Sequence, residues 1–469
     1  MEKTSDKIDG IGMADSSYYE DNDDLNTWDQ AEQRVGEAFE LYETGLMQQA
    51  LDKLNEAICL NPGCGAWHFN MGLILDGLDR YEEALTCYQH ALELSPDDVE
   101  ILNCLAVDYT RTTQYDLALS IFERIEKIDP TFEPAYCNRI ITYTEMEQYD
   151  KAEQMFYLAQ EINPDCPICF YNIGNVLFTR GQYARAVWCW EKTAKLEPTH
   201  PQIYYRIAQA CWADGQDDKA KEFFLESLRQ NPGSPEILLD YGVFLLEKQQ
   251  PQKAREKFNW ILELEPDYAP AMFYQGEIRR IEGDFDSAAQ WYRKAIRADR
   301  KLAGPRFRLA RILLWKNQPD EVADLLKEEL QLSCDDQQIL LMMGRMLLNL
   351  GEHNEAVTCF LRVLDANPEQ GQAYFGMAVV LMQKHDAEGC VEFLEQAISR
   401  DVAITTAYTC AAMIYCNQKN FRRAAEIIER AKAVTANTWH LRLWTAKIAL
   451  QSLRQKAIER FTNTLSRLF

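Results

Sequence analysis

Positive charge is in short supply in this chain. Its 469 residues carry 49 Lys and Arg against 73 Asp and Glu, a formal net charge of −24. A surface that neutralises phosphates needs the opposite balance, so nucleic acid is not expected as a main partner. Long hydrophobic runs are missing too. No apolar stretch approaches the ~20 residues that cross a bilayer, and no secretory h-region opens the chain, so membrane insertion is not expected. Histidine is scarce, with six residues spread far apart (His68, His90, His200, His353, His385, His440). No Ser-His-Asp grouping and no glycine-rich phosphate loop stands out. These gaps leave no catalytic constellation, and neither a cofactor nor enzymatic activity is expected.

The fourteen cysteines follow no regular spacing. They read as reduced thiols of a cytoplasmic protein, not as a disulfide framework. Cys166 and Cys169 form a Cys-x-x-Cys. Redox use of that motif asks for a βαβ context, and zinc asks for a second ligand pair nearby. The pair is therefore read as accidental. Cys59, Cys64 and His68 match no standard ligand spacing, so no metal site is expected.

What the chain does have is a period. Pro62, Pro96, Pro130, Pro164, Pro198, Pro232 and Pro266 stand 34 residues apart, and Pro368 falls in the same register. A second ladder runs beside it: Ala50, Ala84, Ala118, Ala152, Ala186, Ala220, Ala254, Ala288, Ala356 and Ala424. Two ladders of one period mean one structural unit stacked many times. Counting from Ala31, twelve repeats run to residue 438 without insertion or deletion, and a truncated thirteenth covers 439–469.

Each repeat reads as two helices. In the fifth, Phe170, Ile173, Val176 and Leu177 give helical spacing, and Gly181 is placed to end that helix. A second helix is expected over about Tyr183 to Leu196, stopped by Pro198. Position 8 is small: Gly72, Gly174, Gly242, Gly276 and Gly344, with Ala in most other repeats. Position 20 is the alanine ladder. Position 24 is bulky: Tyr88, Phe122, Phe156, Trp190, Phe224, Phe258, Tyr292 and Phe360. Small side chains at positions 8 and 20 let paired helices approach closely, with position 24 as bulky filler.

This pattern resembles the tetratricopeptide repeat family. The matches are small at 8, Ala at 20, aromatic at 24 and Pro at 32, and Phe170-Tyr171-Asn172-Ile173-Gly174-Asn175 is close to the family's first-helix consensus. The resemblance spans residues 31–469. It implies an all-α fold, a right-handed superhelical solenoid of about twelve helix-turn-helix repeats closed by a C-terminal capping helix pair. It also implies a concave face, lined by first-helix positions 2, 5, 6, 9, 12 and 13, that holds extended peptides. Carried onto this chain, those positions give Asn70, Asn138, Asn172 and Asn175, then Tyr205, Arg206, Gln209 and Trp212, then Arg280, Arg308, Arg311 and Arg345.

Asparagine amides offer both a donor and an acceptor to a peptide backbone. Arginines grip carboxylates bidentately. The pattern points to a scaffold that binds other proteins through extended, acidic segments, with reversal at Arg308 costing a ligand and sparing the fold. The alternative within this face is internal. The asparagines then bond between repeats, and the arginines pair with Asp240, Glu247 and Glu277. The full carboxylate-clamp pattern of some co-chaperones is not present. Two other functions fit the same fold: a substrate-recruiting subunit of a separately encoded enzyme such as a glycosyltransferase, or a self-assembling structural protein.

The ends differ in charge. Residues 1–30 hold nine acids and two lysines and read as a disordered acidic tail. From Phe421 onward ten basic residues face three acids, which suits a polar cap. Pairing of the two ends, within a chain or head-to-tail, would give the self-association. The ladders also break late: position 32 is Arg300 and Cys334 in the eighth and ninth repeats, and position 20 is Val322. Helix pairing around 300–336 is expected to shift. Beyond the acidic leader, limited proteolysis is expected to nick the native chain first between Arg300 and Asp336; earlier cuts elsewhere in the repeats would reject that.

Overall fold

A computed structural model describes residues 22–332, 336–401, 403–434 and 439–468. Among them all regular structure is helical, in twenty-five helices with no strand. The chain divides into two bodies, residues 1–232 and 233–469. The first holds α1 (Asn22–Glu43), α2 (Met47–Leu60), α3 (Gly65–Gly77), α4 (Tyr81–Leu94), α5 (Val99–Arg111), α6 (Tyr115–Ile128), α7 (Glu133–Glu145), α8 (Tyr149–Ile162), α9 (Pro167–Thr179), α10 (Tyr183–Leu196), α11 (Ile203–Ala213) and α12 (Asp217–Gln230). The second holds α13 (Pro235–Glu247), α14 (Pro251–Leu264), α15 (Ala269–Ile281), α16 (Phe285–Ala298), α17 (Pro305–Trp315), α18 (Val322–Gln331), α19 (Gln337–Asn349), α20 (His353–Ala366), α21 (Gly371–Gln383), α22 (Ala387–Arg400), α23 (Thr405–Asn417), α24 (Phe421–Val434) and α25 (Trp439–Leu468). Within each body odd-numbered helices pair with the even-numbered helix that follows, and each pair packs on the next.

The turn inside each pair is built one way. Gly181 adopts φ +71°, and the Gln182 N–H donates to the Leu177 carbonyl at 2.8 Å, a Schellman closure of α9. Where glycine is lacking, residues such as Asp79, Thr113 and Lys419 take the same left-handed conformation. Each such residue costs roughly 1–2 kcal/mol, which the packing of the pair must exceed.

That packing is a ring laid on a small residue. Trp190 is 1% exposed, and a Cβ added at Gly174 would lie 2.3 Å from its Nε1. The closeness lets the indole donate to the Tyr171 carbonyl at 3.1 Å. Gly72 meets Tyr88 in the same way, Gly242 meets Phe258, Gly276 meets Tyr292 and Gly344 meets Phe360. The fourth repeat carries Ile140 at position 8, and its ring, Phe156, is the least buried of the series at 9%.

The ends depart from the sequence reading. The disordered-tail expectation for residues 1–21 lies outside the described residues, but residues 22–30 are helical and belong to α1. The reason is an apolar stripe that starts before the repeat register. Trp28 packs on Trp67 with ring centroids 5.6 Å apart, and Ala31, Val35 and Ala38 continue the stripe into the core. At the other end α25 is one helix of 30 residues, not a capping pair. It is not a purely polar cap either, because Leu443, Leu450 and Leu453 are exposed on it. Around residues 300–336 the pair is shortened. α17 has 11 residues and α18 has 10, where α15 and α16 have 13 and 14.

Gly174→Ala should destabilise the chain by about 1–2 kcal/mol, since overpacking costs ~1–3 kcal/mol against a helix-propensity gain of up to ~1. Gly36→Ala, on an exposed helix position with nothing within 4 Å of the added Cβ, should instead stabilise slightly. Urea midpoints of the two variants check the contrast.

Candidate functional site

The first helices α1, α3, α5 and α7 turn one face toward a shared cavity of about 400 Å³. Phe39, Tyr42, Phe69 and Leu73 build its apolar wall. Asn70, Asn103, Asp76 and Glu100 supply the polar groups. Asn70, one of the residues assigned to the concave face, lines this cavity. Phe39 and Tyr42 were not singled out from the sequence, although they stand at positions 9 and 12 of the first repeat.

The asparagine ladder divides into two uses. The Asn138 amide donates to Asn103 Oδ1 at 2.9 Å, and buried Asn172 donates to the Cys137 carbonyl at 3.3 Å. Those two rungs tie α5 to α7 and α7 to α9. Asn175 is half-buried on α9. In the sixth repeat Tyr205 is only 8% exposed and packs its ring 6.5 Å from Phe224. Trp212 is half-buried with its ring edge-on to Phe224, Gln209 is half-buried, and the half-buried Arg206 has an Nε without a hydrogen-bond partner.

In the second body the arginines gather on a buried acid. Glu277 accepts from Arg280 Nη2 at 2.8 Å, lies 3.3 Å from Arg308 Nε and accepts from the Tyr292 hydroxyl. Burial pushes the Glu277 carboxyl up, but Arg280, Tyr292 and Arg308 outweigh it and hold the group below the ordinary carboxylate value. Reversal of Arg308 would therefore set a second negative charge beside a buried one and would not spare the fold. Arg311 is exposed, its guanidinium 5.7 Å from the Phe307 ring, and Arg345 donates to Gln372 at 2.7 Å. Neither has a carboxylate partner among the described residues.

The cysteines bring a correction. Cys137 and Cys169 are joined as a disulfide, against the expectation of reduced thiols throughout. Adjacent first helices of a 34-residue repeat set position 5 of α7 beside position 3 of α9, a juxtaposition that short-range spacing does not reveal. Eleven other described cysteines are outside any disulfide.

Tetratricopeptide repeat models match residues 171–235, 245–303 and 341–401, and two further models of that repeat match 66–98 and 134–166. Together these segments cover just over half of the chain, in the register of the proline ladder. The chain belongs to the tetratricopeptide repeat family. No curated protein matches it. It is similar to yeast Tom70, at 13% identity over 91% of this chain and 96% of that one, with a TM-score of 0.35. It is also similar to PilF of Pseudomonas aeruginosa, at 18% identity over 46% and 97%, TM-score 0.39. A third similarity is to YrrB, described as a TPR protein with an unusual peptide-binding site, at 22% identity over 40% and 97%, TM-score 0.35. No described helix is long and apolar enough to cross a membrane.

One further acid of this tetratricopeptide repeat protein sits behind the cavity. Asp108 on α5 is 1% exposed, takes a single bond from Arg111 Nη1 at 3.2 Å and leaves Oδ2 without a partner. Arg111 also contacts Asp76 in the cavity wall. One shared guanidinium does not offset the loss of water, and burial pushes the Asp108 carboxyl from 3.8 up to about 7. The folded state therefore holds this proton more tightly than the unfolded chain. The contribution to stability is full below the ordinary value and drains away as pH rises toward the folded one. Asp108→Asn should raise the urea midpoint relative to the parent at about pH 8, and the gap should narrow as pH falls and close below about pH 4.

Proposed function

We propose that the chain is a non-catalytic scaffold that binds extended segments of other proteins along its first-helix faces. The observation that carries this is the cavity shared by α1, α3, α5 and α7. Its size suits one or two side chains of a bound segment, and an apolar wall with a few fixed polar groups is how such sites gain affinity and orientation together. Asn70 is the amide available to a backbone there, while Asn138 and Asn172 hold the helices that frame it. A large apolar side chain in the wall, with no acid near Asp76 and Glu100, is the chemistry this site accepts.

The second body takes a different segment. With Arg280 and Arg308 committed to Glu277, the exposed Arg311 and Arg345 remain for an acidic ligand. Eleven described cysteines outside any disulfide fit a reducing, cytoplasmic setting.

A displayed random-peptide library selected on the full chain is expected to yield one class rich in large apolar residues. Leu73→Arg should weaken that class by at least about tenfold, or ~1.4 kcal/mol. Arg311→Glu with Arg345→Glu should weaken only acidic peptides, and in a salt-dependent way. Unchanged binding of the apolar class to the Leu73 variant would reject the cavity as the site.

A further inference from the structure

Four metal-ligating side chains meet between α7 and α9. Glu133 and Cys137 lie one turn apart on α7. Cys166 caps the N-terminus of α9, and Cys169 lies in its first turn. The ligand atoms all fall within 4.8 Å of one another, and the three cysteines are buried. Here Cys137 and Cys169 are linked, with Cys166 Sγ 3.7 Å from Cys137 Sγ. Glu133 Oε1 stands 2.9 Å from Cys137 Sγ and 3.3 Å from Cys169 Sγ.

A carboxylate turned onto two disulfide sulfurs meets only lone pairs there, and the one thiol proton it can accept is that of Cys166. A cation among the four atoms would reverse that sign. Tetrahedral zinc with Zn–S bonds of about 2.3 Å separates its sulfurs by roughly 3.8 Å, and the Cys137–Cys166 separation already has that value. The Cys169 N–H donates to Cys166 Sγ at 3.3 Å, the bond a thiolate at a helix N-terminus receives. The second ligand pair that the Cys-x-x-Cys lacks in sequence is supplied by the preceding repeat.

We propose that Glu133, Cys137, Cys166 and Cys169, once the disulfide is reduced, bind one zinc ion as a clasp between successive first helices. A phosphine or a dithiol serves as reductant. It gives up two electrons, and each of the two sulfurs takes up a proton as the S–S bond breaks. Zinc then displaces three thiol protons and is held by three thiolates and one carboxylate. Three soft sulfurs and one oxygen in a closed, buried set favour zinc over magnesium or calcium. With all four positions filled by protein the site is structural, and it lies beside the Asn172–Cys137 rung.

The full-length chain is reduced with a phosphine, freed of it without oxygen, and titrated with Co(II) as a spectroscopic probe, then with Zn(II). One equivalent of cobalt should bind, with a thiolate-to-cobalt charge-transfer band and tetrahedral d–d bands that zinc bleaches. Zinc should also protect Cys137, Cys166 and Cys169 of the parent chain from alkylation, mapped by mass spectrometry. That readout does not depend on any variant folding. Cys166→Ser, which leaves Cys137 and Cys169 in place, should lose the charge-transfer band, and Glu133→Gln should shift it. No cobalt band, alkylation indifferent to zinc, or a parent-like spectrum from the Cys166 variant would overturn the proposal.

Discussion

Every helix pair here depends on how near two backbones can come. A side chain of minimal size in the first helix lets a ring from the second lie flat against it, as Trp190 does on Gly174 and Tyr292 on Gly276. The alanines at position 20, all fully buried, admit the same approach from the other side. Dispersion and apolar burial gain most where atoms touch, so the pair is held by fit more than by any polar bond. Ile140 illustrates the rule from the opposite side. A branched residue stands where a small one is usual, and Phe156 is left partly in solvent.

Constant pair geometry has a consequence for the first-helix faces. If each pair is the same, position 6 or 9 of one repeat must stand near its counterpart in the next. Polar side chains at those positions then have two possible partners, a neighbouring repeat or a ligand. The first claims Asn138, Asn172 and Arg308, while Arg280 pairs with Glu277 of its own helix, because a polar group left unmet away from water is costly. Among the described residues the exposed Arg311 meets no carboxylate, Arg345 reaches Gln372 of the next repeat, and Asn70 lines the cavity of the first body.

The period, the helix pairs and the ladders of small and bulky residues were legible because each is set by residues at fixed intervals along one chain. Glu277 shows where that legibility stops. The sequence placed it in a groove beside arginines, but whether it or a ligand held them was a matter of distances. The extra turns of α1 were hidden by acid-rich composition, although Trp28, Ala31 and Val35 carried the stripe. The single long α25 was hidden because a truncated repeat offers no proline or glycine to mark where one helix should become two.

By itself, then, the sequence determined an all-α chain of repeated helix pairs, since local spacing and steric size govern both the helices and their pairing. Only the tertiary structure decided which inward polar groups are already spent, and that Glu133 and Cys137 stand against Cys166 and Cys169. Those outcomes rest on angstrom-scale approach between residues about thirty positions apart, and no pattern along the chain encodes such a distance.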